Sequence, residues 1–337
     1  MQLPPANHMI RRRCVIRLAT RTRWALALGA MTLGVVLPAP AGAAPSPATG
    51  NDVSFPQCPS RFPTGAAFGV VGVNDGIANV VNPCLQAEIG WASGTTGAAT
   101  SSYGGTTQPK AQLYINTADP GDVFNGQPIA DWPANNAGGG SDPYGACAPA
   151  VVNVGHHKTA TLGQNSPACA WQYGWNTAAK DVQTFLQGAV TGQSALDQNA
   201  GDYAWWLDVE TGNTWQGVKG GGLAMNDAVL EGMVSALARL TGASGAPAVV
   251  GIYATGAQWN QIAGGEATVD TNWTNLTHTP APAPLDGRPD WVPGATSAAG
   301  ADATCAADPA FSRTATVAAE VTLAQWVAGG VDGDVSC

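Results

Sequence analysis

The segment Trp205-Trp-Leu-Asp-Val-Glu-Thr-Gly-Asn-Thr-Trp215 carries two carboxylates, Asp208 and Glu210, two residues apart at the end of an apolar run. In a strand alternate side chains share a side, so Asp208 and Glu210 fall on one face with Trp206, and Trp205, Leu207 and Val209 on the other. Residues at i and i+2 lie about 6.5–7 Å apart along a strand, close enough for both carboxyl groups to approach one reacting bond. Glycoside cleavage uses such a pair. One acid must keep a proton for the leaving oxygen, and a neighbouring anion holds that proton on by raising its pKa. Trp206 would add a plane for a sugar to stack on. The plain alternative is a pair of solvated acids at a strand end, because Asp-x-Glu alone is a weak motif.

The elements that would position these acids alternate in type. Phe68-Gly-Val-Val-Gly-Val73, Ala111-Gln-Leu-Tyr-Ile115, the run from Ala204 to Val209 and Ala248-Val-Val-Gly-Ile-Tyr253 read as strands. Val229, Met233, Leu237 and Leu240 recur at helical spacing over residues 226–240, and Thr241-Gly242 supplies a stop. A second helix is expected over residues 177–187, with Val182, Phe185 and Leu186 on one side. Strand, helix, strand implies parallel βα units, in which chemistry gathers at the C-terminal ends of the strands. Residues 121–145, rich in Gly, Pro, Asn and Asp, read as a long loop. Trp171-Gln-Tyr-Gly-Trp175, beside Cys169, reads as a packed structural segment, and His156-His157 as a solvated loop without a role.

Composition limits the functions available. Six arginines between Arg11 and Arg23 precede an apolar run from Trp24 to about Pro38, and Ala41 and Ala43 supply a small-residue cleavage site, so residues 1–43 read as a secretory signal peptide with its export route open. Residues 44–50 read as a flexible lead and 51–337 as one domain. Without the signal, eight basic residues remain against 23 acidic ones, a net charge of −15. Such a surface repels nucleic acids and anionic membranes. The six remaining cysteines, Cys58, Cys84, Cys147, Cys169, Cys305 and Cys337, suit three disulfides in an exported protein. Preference for short loops favours Cys58 with Cys84, Cys147 with Cys169 and Cys305 with Cys337, among about 15 possible pairings. A zinc site is the alternative, but no two cysteines stand at the close spacing that zinc-binding turns use.

Several blocks resemble, in order, those of glycoside hydrolase family 25, the N-acetylmuramidase lysozymes. Asn51-Asp52-Val53-Ser54 is similar to the family's first-strand block and Leu207-Asp208-Val209-Glu210 to its central acidic strand. Gly251-Ile252-Tyr253 with Trp259 is similar to its Gly-x-Tyr strand and following tryptophan, and Asp290-Trp291-Val292 to the next short strand. Gln325-Trp326 and Val331-Asp332-Gly333-Asp334 resemble its closing segment. The resemblance implies a modified (β/α) TIM-like barrel. Glu210 would be the general acid, Asp208 would orient an acetamido group, and Asp52 and Asp332 would complete an acidic cup. Tyr114, Trp206, Tyr253 and Trp326 would line the substrate site. It further implies cleavage of β-1,4 bonds in peptidoglycan or a related amino-sugar polymer by a monomer that needs neither metal nor cofactor.

The chain also departs from that pattern. Val73-Asn74-Asp75-Gly76 stands where the family continues Lys-Ala-Thr/Ser-Glu-Gly, and Tyr114-Ile115-Asn116 stands where it has Tyr-His-Phe. A chitinase pattern would need aspartates at 203 and 206, where Tyr203 and Trp206 stand. The alternative to an enzyme is a non-catalytic barrel that binds cell-wall glycan or a protein partner with an inherited cup.

Overall fold

The computed structural model describes residues 49–337 apart from 59–61, 96–105, 107, 156–157, 219–220, 277–282 and 329. The expected signal peptide and the His156-His157 pair therefore lie outside the described residues. In chain order the elements are β1 (Thr49–Val53), β2 (Gly69–Gly72), α1 (Leu85–Ser93), β3 (Ala111–Asn116), β4 (Val123–Phe124), β5 (Gln127–Pro128), β6 (Pro149–Val154), β7 (Lys158–Gly163) and α2 (Pro167–Lys180). A π-helical turn (Asp181–Leu186) then leads into α3 (Gln187–Val190). The remainder is β8 (Ala204–Asp208), α4 (Gly222–Leu237), β9 (Val250–Tyr253), α5 (Gly256–Ile262), α6 (Glu266–Thr274), β10 (Asp290–Ala295), α7 (Ala298–Ala307), β11 (Val321–Ala328) and β12 (Val331–Ser336).

Eight strands close into a barrel in the order β1-β12-β11-β10-β9-β8-β3-β2. All neighbours are parallel except β12, which runs antiparallel to both β11 and β1 and joins them into a ring. Every residue of β2 and β8 is buried, as expected of strands covered by helices on one side and by the barrel interior on the other. Alternation assigns the two sides. Trp205, Leu207 and Val209 join a large outer cluster with Leu113, Ile115 and the apolar faces of α2 and α4. Trp206 points inward, among Phe68, Val70, Trp291 and Leu323.

The helical layer departs from expectation at its edges. The helix expected over residues 177–187 covers the last turn of α2, the π-helical turn and the first residue of α3, and α2 itself begins ten residues earlier, where Ser166 caps it by accepting from the Cys169 N–H. Ten of the 14 residues of α2 are buried, the polar Gln172 and Thr177 among them, so burial there does not follow apolar residue type alone. Trp171, Tyr173 and Trp175 are buried within it, Trp171 and Trp175 stacked at 5.2 Å. Residues 121–145 are mostly irregular but hold the short pair β4 and β5, and the β6–β7 hairpin follows. β1 also begins at Thr49, pairing with Val335, so the last two residues of the expected lead belong to the barrel wall.

The short-loop cysteine pairing is the one present, with Cα–Cα distances of 5.8 Å for Cys58–Cys84, 4.5 Å for Cys147–Cys169 and 5.1 Å for Cys305–Cys337. Cys147–Cys169 ties the loop ahead of β6 to the first turn of α2. Closing that 22-residue separation restricts the unfolded chain, and replacing both cysteines with Ala is expected to cost about 3 kcal/mol in denaturant unfolding. An unchanged midpoint would refute that role. Among the described residues no helix is long and apolar enough to cross a membrane.

Candidate active site

The C-terminal ends of the parallel strands surround an open cavity of about 300 Å³, lined by Asp52, Tyr114, Asp208, Glu210, Tyr253, Trp291, Gln325, Val327 and Asp332. Strand register brings these residues together. Asp208, the last residue of β8, pairs with Asn116 of β3 on one side and Tyr253 of β9 on the other. Asp52 of β1 pairs with Asp332 of β12. Glu210 follows β8 by two residues and keeps the same side as Asp208, partly exposed at the mouth.

Asp208, Glu210 and Asp52 each have a donor of their own. Asp208 is 7% exposed; its Oδ2 accepts from Asn116 Nδ2 at 2.6 Å, and its Oδ1 has no donor. Burial first, and then the charges of Glu210 and Asp52, push its carboxyl well above the usual range, against the pull of Asn116. Glu210 is raised by burial and lowered by a hydrogen bond from Gln258. Gln258 is itself fixed, because its Oε1 accepts the Thr255 N–H at 2.8 Å in the capping box of α5. Trp215 Nε1 donates to the Glu210 carbonyl at 2.8 Å and anchors the backbone there.

On the opposite wall an amide bridges two groups. Tyr253 Oη donates to Gln325 Oε1 at 2.8 Å, and Gln325 Nε2 donates to Asp52 Oδ2 at 2.9 Å. Burial, opposed by the Gln325 donor and reinforced by the Asp332 charge, pushes Asp52 up to about 7. Below it Asp334 is fully buried and accepts from Trp291 Nε1 at 2.9 Å, and burial together with the Asp52 charge pushes its carboxyl well above the usual range. So Asp332 opens to the cavity and Asp334 supports its floor. Trp291 carries that floor, with Tyr253 edge-on at 4.6 Å and Tyr114 at 6.3 Å.

Among the residues expected at the site, Asp52, Tyr114, Asp208, Glu210, Tyr253 and Asp332 meet in this cavity, and two tryptophans do not. Trp206 shares the inward side of β8 but lies one layer deeper. It is 2% exposed, its Nε1 donates to Gln112 Oε1 at 2.8 Å, and its ring meets Trp291 at 5.7 Å. It supports the floor and offers no plane to a sugar. Trp326 is on the wrong side of β11: the inward residues are Leu323, Gln325 and Val327, whereas Trp326 packs outside against Ala301, Ala324 and Val335. Trp291 and Gln325 take the places expected of those two. The period of two along β11 was the signal that could have put Gln325 inside.

The buried acids give stability a definite pH dependence. Burial pushes Asp181 and Asp290 to about 7, and no cation compensates either fully. Both bind protons more tightly in the folded chain than in the unfolded one, where an aspartate titrates near about 3.9. Folding is thus favoured most below about pH 4 and loses support as pH rises through about 7. The thermal midpoint is expected to be higher at pH 4.5 than at pH 8, a comparison that scanning calorimetry makes directly; equal midpoints would contradict it.

No family model, curated protein or solved structure matches this chain. Among the described residues no group of three or more His, Cys, Asp or Glu side chains could hold a metal ion.

Proposed function

We propose that this protein is a secreted glycoside hydrolase, built on a TIM-like barrel, that cleaves β-1,4 bonds in peptidoglycan or a related amino-sugar polymer. The supporting observation is the convergence of Asp52, Asp208, Glu210 and Asp332 on one open cavity at the C-terminal ends of the strands. Barrel enzymes place their chemistry at that end.

Glu210 is the general acid. It is the acid of the central pair that reaches the mouth, and burial helps it keep a proton. Asp208, with Oδ1 unengaged, accepts the N–H of the substrate's acetamido group. The acetamido oxygen then attacks the anomeric carbon while the Glu210 proton passes to the leaving oxygen, so the C–O bond breaks as a cyclic oxazolinium forms. This substrate-assisted route is a known variant of glycoside hydrolysis. Water, deprotonated by Glu210, reopens the ring and restores the acid. The positive charge of the cyclic intermediate supplies the partner that a buried Asp208 lacks in the free protein. Stabilisation therefore grows as the reaction proceeds, which is what accelerates a chemical step. Asp52 and Asp332 add negative potential on the facing wall.

The test is release of reducing ends from purified cell walls by residues 44–337, with the sugar at each new end identified. Release supports the proposal. If the protein binds walls and releases nothing, the barrel is a glycan-binding module and the hydrolase proposal fails.

A further inference from the structure

A line of hydrogen bonds runs from Asp208 out of the barrel and into the helical layer. Asn116 Nδ2 donates to Asp208 Oδ2 at 2.6 Å, the Asn116 backbone N–H donates to Asn74 Oδ1 at 2.9 Å, and Asn74 Nδ2 donates to Asp181 Oδ1 at 3.0 Å. Four segments contribute: the end of β8, the end of β3, the loop after β2, and the π-helical turn that Asp181 begins. Asp181 and Asn74 are fully buried and Asn116 is 7% exposed.

We propose that Asp181 and Asn74 are positioning residues that act through Asn116 to hold the Asp208 carboxyl in its working orientation. The proposal rests on the glycosidase assignment of this site and extends it outward to a side chain that touches no substrate. Asp181 is poorly explained by stability. It sits among Val182, Phe185 and Leu186, its Oδ2 has no partner, and the adjacent Lys180 is turned toward Asp131 at 3.6 Å. A buried carboxyl whose neighbouring cation offsets its burial only in part costs free energy that an apolar side chain of similar size would not. Its use is to orient Asn74. An amide at position 74 is needed because it must donate with one end and accept with the other, which neither a carboxylate nor an alkyl group can do. Accepting the Asn116 N–H fixes that backbone and so aims Asn116 Nδ2 at Asp208. The Thr117 hydroxyl, donating to the Asp208 carbonyl at 2.6 Å, pins the same two strand ends. Wide helical turns of the kind that starts at Asp181 recur at functional sites.

The charged and titratable groups around Asp208 are Glu210 on its own segment, Asp52 on β1, and the Tyr114 and Tyr253 phenols on β3 and β9. The relay supplies the one side-chain donor among its surroundings that favours the anion. Loosening it therefore raises the Asp208 midpoint. The experiment follows Asp208 by carbon-13 NMR of aspartate-labelled protein, assigned with Asp208→Asn, in the wild type, Asp181→Leu, Asp181→Asn and Asn74→Ala. Asp181→Leu and Asn74→Ala are expected to shift the Asp208 titration to higher pH. In reducing-end release they should lower kcat about tenfold while KM stays within about twofold, a loss on the scale of one charge-assisted hydrogen bond. Asp181→Asn, which keeps an oxygen for Asn74 to donate to, restores the midpoint and kcat toward the wild type. Should Asp181→Leu not fold, Asn74→Ala carries the test. An unshifted Asp208 titration in a folded relay variant overturns the relay, whether or not the protein hydrolyses cell walls. A wild type without hydrolysis overturns the glycosidase assignment and leaves the titration result standing.

Discussion

Glu210→Gln is expected to lower reducing-end release by about 10²–10⁴-fold, the range for loss of a general acid, while the folded state persists. Glutamine keeps the length and hydrogen-bonding shape of the side chain but has no proton to give to a leaving oxygen. Glu210 lies beyond the end of β8, partly exposed, and its carbonyl rather than its carboxyl makes the anchoring contact with Trp215. The barrel therefore loses little when the carboxyl changes. Gln258 meets a side chain of the same shape, so binding should persist, and the loss should fall on kcat. Equal activity in the variant and the wild type would remove Glu210 from the mechanism. Loss together with a lowered thermal midpoint would mark a structural role instead.

A large effect on stability is expected outside the cavity, where α2 crosses α4. Gly174 lies directly against the Val229 backbone carbonyl, and Gly232 makes the reciprocal approach to the Trp171 carbonyl. A side chain at either glycine meets main chain, which cannot rotate away, so the helices must part and the surrounding apolar cluster must loosen. Gly174→Val is expected to cost about 3 kcal/mol, at the upper end of overpacking effects. Gly188→Ala is the control. That helical glycine has no atom within 4 Å of the added methyl, and the change should be neutral or stabilising by about 0.5–1 kcal/mol. Urea unfolding of the two variants separates close approach from a general intolerance of glycine replacement. Equal midpoints for both would mean that the crossing tolerates a side chain.

What could be read from the sequence follows from the range of the interactions involved. The two acids of the central strand and their common orientation depend on a period of two over three residues, a purely local property. Asp52 and Asp332 were found through short blocks of residues, and the barrel closes them into adjacent pairing across 280 residues of chain. The tryptophans misled because residue type says nothing of depth. Trp206 has the right parity and the wrong layer, and Trp326 the right neighbourhood and the wrong parity. The amides were invisible for another reason. Asn74, Asn116 and Gln325 resemble ordinary loop or strand-end polar residues until their partners, up to 273 residues away, are in place. Asn74 and Asn116 also stand at two places where the chain departs from the lysozyme pattern. Those two departures are joined in the structure by a hydrogen bond.

The reversed direction of β12 determines where attachments can go. Because β1 enters and β12 leaves at the same rim, with Thr49 opposite Val335, both ends of the domain emerge on the underside of the barrel, away from the acids. Cargo, a surface tether or an added module fused at either end would leave the mouth unobstructed for a long polymer. The pairing of Thr49 with Val335 also leaves a span that a short linker could bridge, so the barrel itself suits circular permutation with new termini in an exposed turn.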